Sequence, residues 1–338
     1  MAAGVHPATA SRALNAATRS LVRPATVERV REVAAELGYQ VNPIARSLKT
    51  SRSETIGVLI PDLTNPLFPP IVRGVEDVLT RHGYTALIAN TDNDPARAAA
   101  SFGAMQARQV DGFIVATARL QDPLLQDAVE RDVPMVLVNR LTEDLEVSSV
   151  RGDDAAGISR VVAHLVELGH RQIGHLAGPL ATSTGVVRQR AFTSAMHQHG
   201  LDPAAVVVAE SFSEAAGHRA TLGLLAEHSP TAVVAGNDLL AIGCYDALQE
   251  LGLRCPDDVS VVGFNDMPLI DRLSPPLTSV RVPQQELGVE AGRLLVDRLR
   301  GRIVTPRAVL LPVALVVRGS TGPPPGVRPR RRATAVRA

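Results

Sequence analysis

From Thr55 onward the chain repeats one rhythm, a short apolar segment followed by a longer amphipathic one, and this alternation limits the folds open to it. The apolar segments are "TIGVLIPD" at 55–62, "TALIAN" at 85–90, "DGFIVA" at 111–116 and "VPMVLVN" at 133–139. Between them lie stretches of roughly 10–17 residues with helical spacing, the first running from about Leu67 to Gly83. Strands this apolar have no polar face to give to water, so helices must cover both sides of their sheet. The rhythm then restarts with "RQIGHLAGP" at 171–179, "AAVVVA" at 204–209, "TAVVAG" at 231–236 and "VSVVGF" at 259–264. No strict sequence repeat links the two halves, so similar architectures are expected without duplicated sequence. The predicted fold class is α/β, two doubly wound parallel-sheet lobes preceded by a small all-helical segment.

Open parallel sheets bind ligands beyond the carboxyl ends of their strands, and two such sheets side by side would share a cleft there. The residues following the strands are Asp62 to Phe68, Asn139 and Arg140, "GPLATSTG" at 178–185, Asn237 with Asp238, and Asn265 with Asp266. Amides, hydroxyls, carboxylates and an occasional aromatic suit a small polar molecule with an apolar face, such as a sugar.

The first 53 residues are of another kind. "MAAGVHPATASRALN" places Ala10, Ala13, Leu14 and Ala17 at apolar helical spacing and Pro7, Ala8, Ser11, Arg12 and Asn15 on the opposite side. "RPATVERVREVAAELGY" at 23–39 is a second amphipathic helix, closed by Gly38. One face could pack while the other reads DNA, as in a helix-turn-helix. Only Met1 to Gly4 precede the turn, so most of a bracing helix is expected to be missing and the head to be loosely ordered. "NPIARSLKTSRS" at 42–53 offers a helix too short to stand alone in water. Charge separates in the same way: residues 1–53 hold eight Lys/Arg against three Asp/Glu, although the whole chain is only +1. A basic head on an acidic body is the layout of a DNA-binding module joined to something else. The tail from Pro323 to Ala338, rich in Pro and Arg, is predicted to be disordered.

Searches for catalytic chemistry return little. There is no G-x-G-x-x-G after a strand, no phosphate loop with its lysine, no G-x-S-x-G elbow and no H-E-x-x-H. "GPLATSTG" could still hold an anion or hydroxyl on its backbone amides. His164, His170, His175 and the "HQH" at 197–199 lack partners at metal-ligand spacing, and Cys244 and Cys255 read as reduced thiols. Asn265 and Asp266 read as a ligand-holding pair more readily than a catalytic one. The chain is therefore expected not to be an enzyme and to need no metal or cofactor. No run of about 18 apolar residues and no secretion signal is present, so the expected location is the cytoplasm, with no membrane contact.

Taken in order, "GVHPATASRALN", "NPIARSLKT", "TIGVLIPDLTNPLF", "GHRQIGHLAGP", "GNDLLAIG" and "DVSVVGFND" followed by "PPLTSV" resemble the lactose-repressor (LacI) family of bacterial transcription regulators, over Ala2 to about Ser320. The resemblance implies a DNA-binding headpiece at 1–40 and a hinge helix and linker at 41–53. It also implies a periplasmic-binding-protein-like effector domain with an N-lobe of 54–152 plus 283–312 and a C-lobe of 153–282 plus 313–322. The basic tail would occupy 323–338. Pro7, Ala8 and Arg12 fall on base-reading positions, Thr9, Ser11 and Asn15 on phosphate-contacting or flanking ones. Leu48 falls on the hinge leucine that wedges into the minor groove, beside Lys49, the chain's single lysine. Phe68, Arg188, Phe212, Asn237 and Asn265 fall on cleft-lining positions, with Asn65, Asn139, Asp153 and Thr184 as further candidates. Asn265 stands where many relatives carry Asp, which keeps hydroxyl recognition but drops a charge. Thr182 stands where a purine-binding relative has Arg, which favours a sugar. The implied partners are a near-palindromic double-stranded DNA operator, a small effector and a second copy of the chain in a homodimer. The alternative is a ligand-binding protein of the same fold that does not bind DNA, because helix 1 of the headpiece is missing.

Overall fold

Two helices and a short 3-10 turn form the first of two separate units, residues 1–54, in a computed structural model that describes residues 2–14, 18–39 and 52–326. Helix α1 is Pro7–Leu14 and α2 is Pro24–Glu36, with the turn at Arg19–Leu21 between them. Proline stands at the first helical position of both, where the missing N–H costs nothing. Ala13, Val27 and Val30 form a small buried core, with Ala3, Val5, Ala10, Leu14 and Val22 packed against it. The face opposite, Pro7, Ala8, Ser11 and Arg12, is exposed. Asn15, the hinge residues Leu48 and Lys49, and the tail beyond Gly326 lie outside the described residues.

The second unit starts at Thr55 and contains two six-stranded sheets. In the first half of its chain β1 (Thr55–Ile60), β2 (Thr85–Asn90), β3 (Gly112–Val115), β4 (Met135–Val138) and β5 (Ser148–Gly152) alternate with α3 (Phe68–Arg81), α4 (Pro95–Ala107) and α5 (Pro123–Glu130). The second half begins with α6 (Asp154–Glu167). It continues through β6 (Ile173–Ala177), α7 (Ser183–Gln198), β7 (Val206–Val208), α8 (Glu214–Glu227), β8 (Ala232–Ala235), α9 (Asp238–Glu250), β9 (Ser260–Asn265) and β10 (Thr278–Arg281). The chain closes with α10 (Gln284–Leu299), β11 (Ala308–Leu311) and β12 (Ala314–Val316).

The first sheet runs β11-β5-β4-β3-β1-β2 and is parallel throughout. The second runs β12-β10-β9-β8-β6-β7 and is parallel except where β12 pairs antiparallel with β10. Central strands are buried on both faces, as their unbroken apolar runs require: all four residues of β3, β4 and β8 are buried. Helix α3 turns Phe68, Ile71, Val75 and Leu79 into that core.

Each sheet holds the four apolar runs identified from sequence and two further strands, β5 and β11 in the first and β10 and β12 in the second. In β5 the buried residues include Ser148 and Ser149 beside Val150, and in β10 Thr278 and Ser279 beside Val280. Their hydroxyls are tied down, Ser279 to Asp238 and Ser148 to the Arg307 amide, which is what lets polar residues occupy a strand core.

The chain passes between the sheets three times, at Gly152–Asp154, at Arg281–Gln284 and at Leu311–Ala314. These crossings touch. A Cβ on Gly152 would lie 3.2 Å from Val313 Cγ1 and 3.3 Å from Val282 Cγ1, tight enough that the two buried valines would have to give by a few tenths of an ångström.

Candidate functional site

The carboxyl ends of β4, β6, β8 and β9 and the amino ends of α3, α7 and α9 meet around one small cavity in the second unit. It holds about 20 Å³ of space open to the centre of a water molecule, enough for little more than one water. Eight residues named from sequence line it: Asn65, Phe68, Asn139, Thr184, Arg188, Phe212, Asn237 and Asn265. Asp153 does not. Its carboxylate accepts from the Ala156 amide at 3.0 Å and caps α6.

Arg188 is the centre of the site. It is 3% exposed and donates from Nη1 to Gly236 O at 2.6 Å and from Nη2 to Asp154 Oδ1 at 3.0 Å. Its guanidinium carbon stands 3.8 Å from the Phe264 ring centre, a cation–π contact in a dry setting. Arg188 Nε is buried and has no hydrogen-bond partner. Asn265 Oδ1 is likewise buried and unpartnered. The Asn265 backbone, at φ 113, is held by Gln284 Nε2, which donates to its carbonyl at 2.9 Å. Asn139, at φ 67, also occupies the left-handed region that Asn tolerates better than most residues, and so turns the chain sharply off β4.

Other side chains are committed to structure. Asn237 Oδ1 caps α9 by accepting from the Leu240 amide at 2.9 Å, and Asn65 Oδ1 accepts from the Leu67 amide at 3.1 Å. Thr182 caps α7, its Oγ1 accepting from the Gly185 amide at 3.2 Å. Asp266 is taken up by Arg281 and Arg318, each at 2.6 Å, and does not line the cavity beside Asn265. His164, His170 and His175 bond to Thr321, to Thr231 with the Gly322 carbonyl, and to the Val234 carbonyl. Burial pulls His175 down to about 4, so its ring is neutral at pH 7.

Two buried carboxyls support the site, Asp238, named above with Asn237 as following a strand, and Asp154, which the sequence did not single out. Burial pushes Asp154 up, against the pull of Arg188 beside it. Burial also pushes Asp238 up to about 7, although Ser279 Oγ lies 2.5 Å from Oδ1 and the Met267 amide 2.8 Å from Oδ2. The sequence signal for both was their place at a helix start directly after a strand. Which of two adjacent acids faces inward, Asp153 or Asp154, was not readable from spacing.

In the first unit most of the residues named from sequence as DNA-contacting fall on α1. Pro7, Ala8, Ser11 and Arg12 are exposed on α1, Thr9 is half-buried, and Ala13 on the inner face is fully buried. His6 caps the helix, its Nδ1 accepting from the Ala8 amide at 3.2 Å.

The helical head and the two-sheet unit each have a counterpart among known proteins. Residues 1–42 match the family described as "Bacterial regulatory proteins, lacI family", and residues 162–321 match "Periplasmic binding protein-like domain". The HTH-type transcriptional repressor CytR of Escherichia coli K12 is 33% identical over 322 residues, covering 94% of each chain. The chain belongs to the LacI family. Among solved LacI-family structures, the lac repressor dimer bound to operator and an anti-inducer aligns with a TM-score of 0.84 at 29% identity, covering 95% of this chain and 96% of that one. A complex of the regulator CelR with cellobiose aligns at 0.73 and 31% identity, covering 94% and 97%. The curated relatives include the CytR, ribose operon and PurR repressors. No helix among the described residues is long and apolar enough to cross a membrane.

Proposed function

We propose that this LacI-family chain is a repressor that binds a near-palindromic double-stranded operator as a homodimer in the cytoplasm, and that a sugar or sugar derivative in the cleft sets its operator affinity. The observation that carries the effector reading is the pair of buried polar atoms left unsatisfied around one cavity, Arg188 Nε and Asn265 Oδ1. Both residues line that cavity, and an unpartnered donor and acceptor there are what a ligand hydroxyl completes. Phe68 and Phe212 supply the apolar walls against which a sugar face packs.

On the DNA side Arg12 reads a guanine edge, Pro7 and Ala8 make apolar base contacts, and Thr9, Ser11 and Asn15 engage phosphates. Leu48 enters the minor groove with Lys49 beside it. The headpiece is residues 1–40 and the hinge 41–53. The effector lobes are 54–152 with 283–312 and 153–282 with 313–322, and each contributes residues to the cleft.

The cavity is too small for a sugar as it stands, so binding requires the two sheets to part along the cleft and reclose. Two hydrogen bonds across the cleft, Leu141 N to Ser183 Oγ at 2.8 Å and Leu120 N to Ala181 O at 3.0 Å, are the contacts that opening would break. The test is operator affinity of the full chain with and without candidate sugars, alongside direct measurement of sugar binding. A coupling of about 1–3 kcal/mol between the two sites is expected. A sugar that demonstrably fills the cleft without changing operator affinity would overturn the regulatory reading.

A further inference from the structure

Beside the Arg188 cavity lies a second space of about 550 Å³, and one residue with charge to spare lines both, Arg140. It follows Asn139 directly off β4 and is 6% exposed. Its Nη1 donates to Asn93 Oδ1 at 3.1 Å, while Nε is buried without a hydrogen-bond partner. Among the described residues it makes no ion pair. Burial, and then the like charges of Arg188 and Arg119, hold its pKa down to about 10.

The acids that line the larger space are engaged elsewhere. Asp94 caps α4 by accepting from the Ala96 amide at 2.8 Å, and Asp122 accepts from the Leu125 and Arg119 amides at 3.3 and 3.2 Å. Glu210 is paired with Arg219. Arg188 has Asp154, but Arg140 has only an amide oxygen. A buried guanidinium without a counter-charge is costly, and the usual remedy is a carboxylate or phosphate that accepts from its fork.

We propose that Arg140 is an anion-recognition residue, and that the effector is an acidic carbohydrate whose carboxylate or phosphate seats on this guanidinium while its hydroxyls reach Arg188 and Asn265. The inference rests on the effector reading above and narrows its ligand class. Neutral sugar oxygens would accept a hydrogen bond from Nε and leave the charge uncancelled. An acid group satisfies both, and the 550 Å³ space accommodates it beyond the tight cavity.

The experiment is thermal melting and calorimetric titration of the full chain with glucuronate, glucose 6-phosphate, inorganic phosphate and glucose at one ionic strength. Wild type is compared with Arg140→Met and Arg140→Lys. At least one acid should raise the melting temperature, with the uronate and phosphate arms separating carboxylate from phosphate. Arg140→Met should weaken that acid by roughly 10- to 100-fold, with Arg140→Lys between the two. The ligand-free Arg140→Met protein should melt no lower than wild type, since it loses an unopposed buried charge. Failure of every anion to stabilise the wild type overturns the proposal, as does equal stabilisation of Arg140→Met. Operator binding in parallel separates the two readings. An acid bound through Arg140 that leaves operator affinity unchanged removes regulation and keeps the anion site. A neutral sugar that shifts operator affinity equally in wild type and Arg140→Met does the reverse.

Discussion

Asp154 Oδ1 and Arg188 Nη2 form a 3.0 Å ion pair whose two side chains are 9% and 3% exposed, and this pair fixes the guanidinium at the centre of the cleft. Removing one partner strands the other as a buried charge. Asp154→Ala should therefore lose about 3–5 kcal/mol of stability in urea unfolding. Adding Arg188→Met to that variant should recover much of the loss while ending ligand binding. A double variant no more stable than Asp154→Ala would show that the pair does not act as a unit.

The pH dependence of stability should expose Asp238. Its folded pKa of about 7 is above the ordinary 3.8, so between those values the folded protein binds more protons than the unfolded chain. Its contribution is full below about 3.8 and is lost as pH rises through 7. His175, lowered from 6.5 to about 4, works the other way, losing its contribution as pH falls through that window. Asp238→Asn is a neutral isostere of the protonated acid. The variant should gain on wild type on the order of 3 kcal/mol between pH 4 and pH 7, read from paired denaturation curves. A constant offset across that range would place the Asp238 pKa near its ordinary value.

Phe212 lies against the backbone of Gly178, where a Cβ would meet the ring at 2.2 Å. Gly178→Ala must push the ring out of place, so effector affinity should fall by roughly tenfold or more. The fold should survive, because Phe212 is only half-buried at the mouth of the pocket. Circular dichroism should remain that of wild type while titration shows the loss.

For the headpiece, Arg12→Ala should cost about 1–3 kcal/mol of operator binding and relax preference at one base pair. Ser11→Ala should weaken all sequences alike. Mobility shifts on an operator series carrying single substitutions separate the two patterns.

The fold was legible at eight apolar runs but not at β11 and β12, whose "AVLL" and "ALV" are equally apolar but follow one another with no helix between them to mark the rhythm. Eight strands read as such runs, from "TIGVLI" to "VSVVGF", and all fell in the two sheets. Strands β5 and β10 were hidden because polar residues are buried in them, and the hydrogen bonds that allow this at Ser148, Thr278 and Ser279 come from partners distant in sequence. The cleft was legible because strand ends project into it, which placed Asn139, Asn237 and Asn265. Asp154 escaped because it adjoins Asp153, and which of the two acids faces inward is decided by the geometry of the turn and not by spacing.

The contact of Gly152, Val282 and Val313 where the chain crosses between sheets has a mechanical consequence. Three connections gathered at one place leave the halves a single soft coordinate. They can swing about that fulcrum like the blades of scissors, but sliding or pulling apart would stretch all three crossings at once. Whatever fills the cleft has one angle to bias. A bulkier side chain at Gly152 would jam the pivot without touching the ligand, uncoupling occupancy from motion.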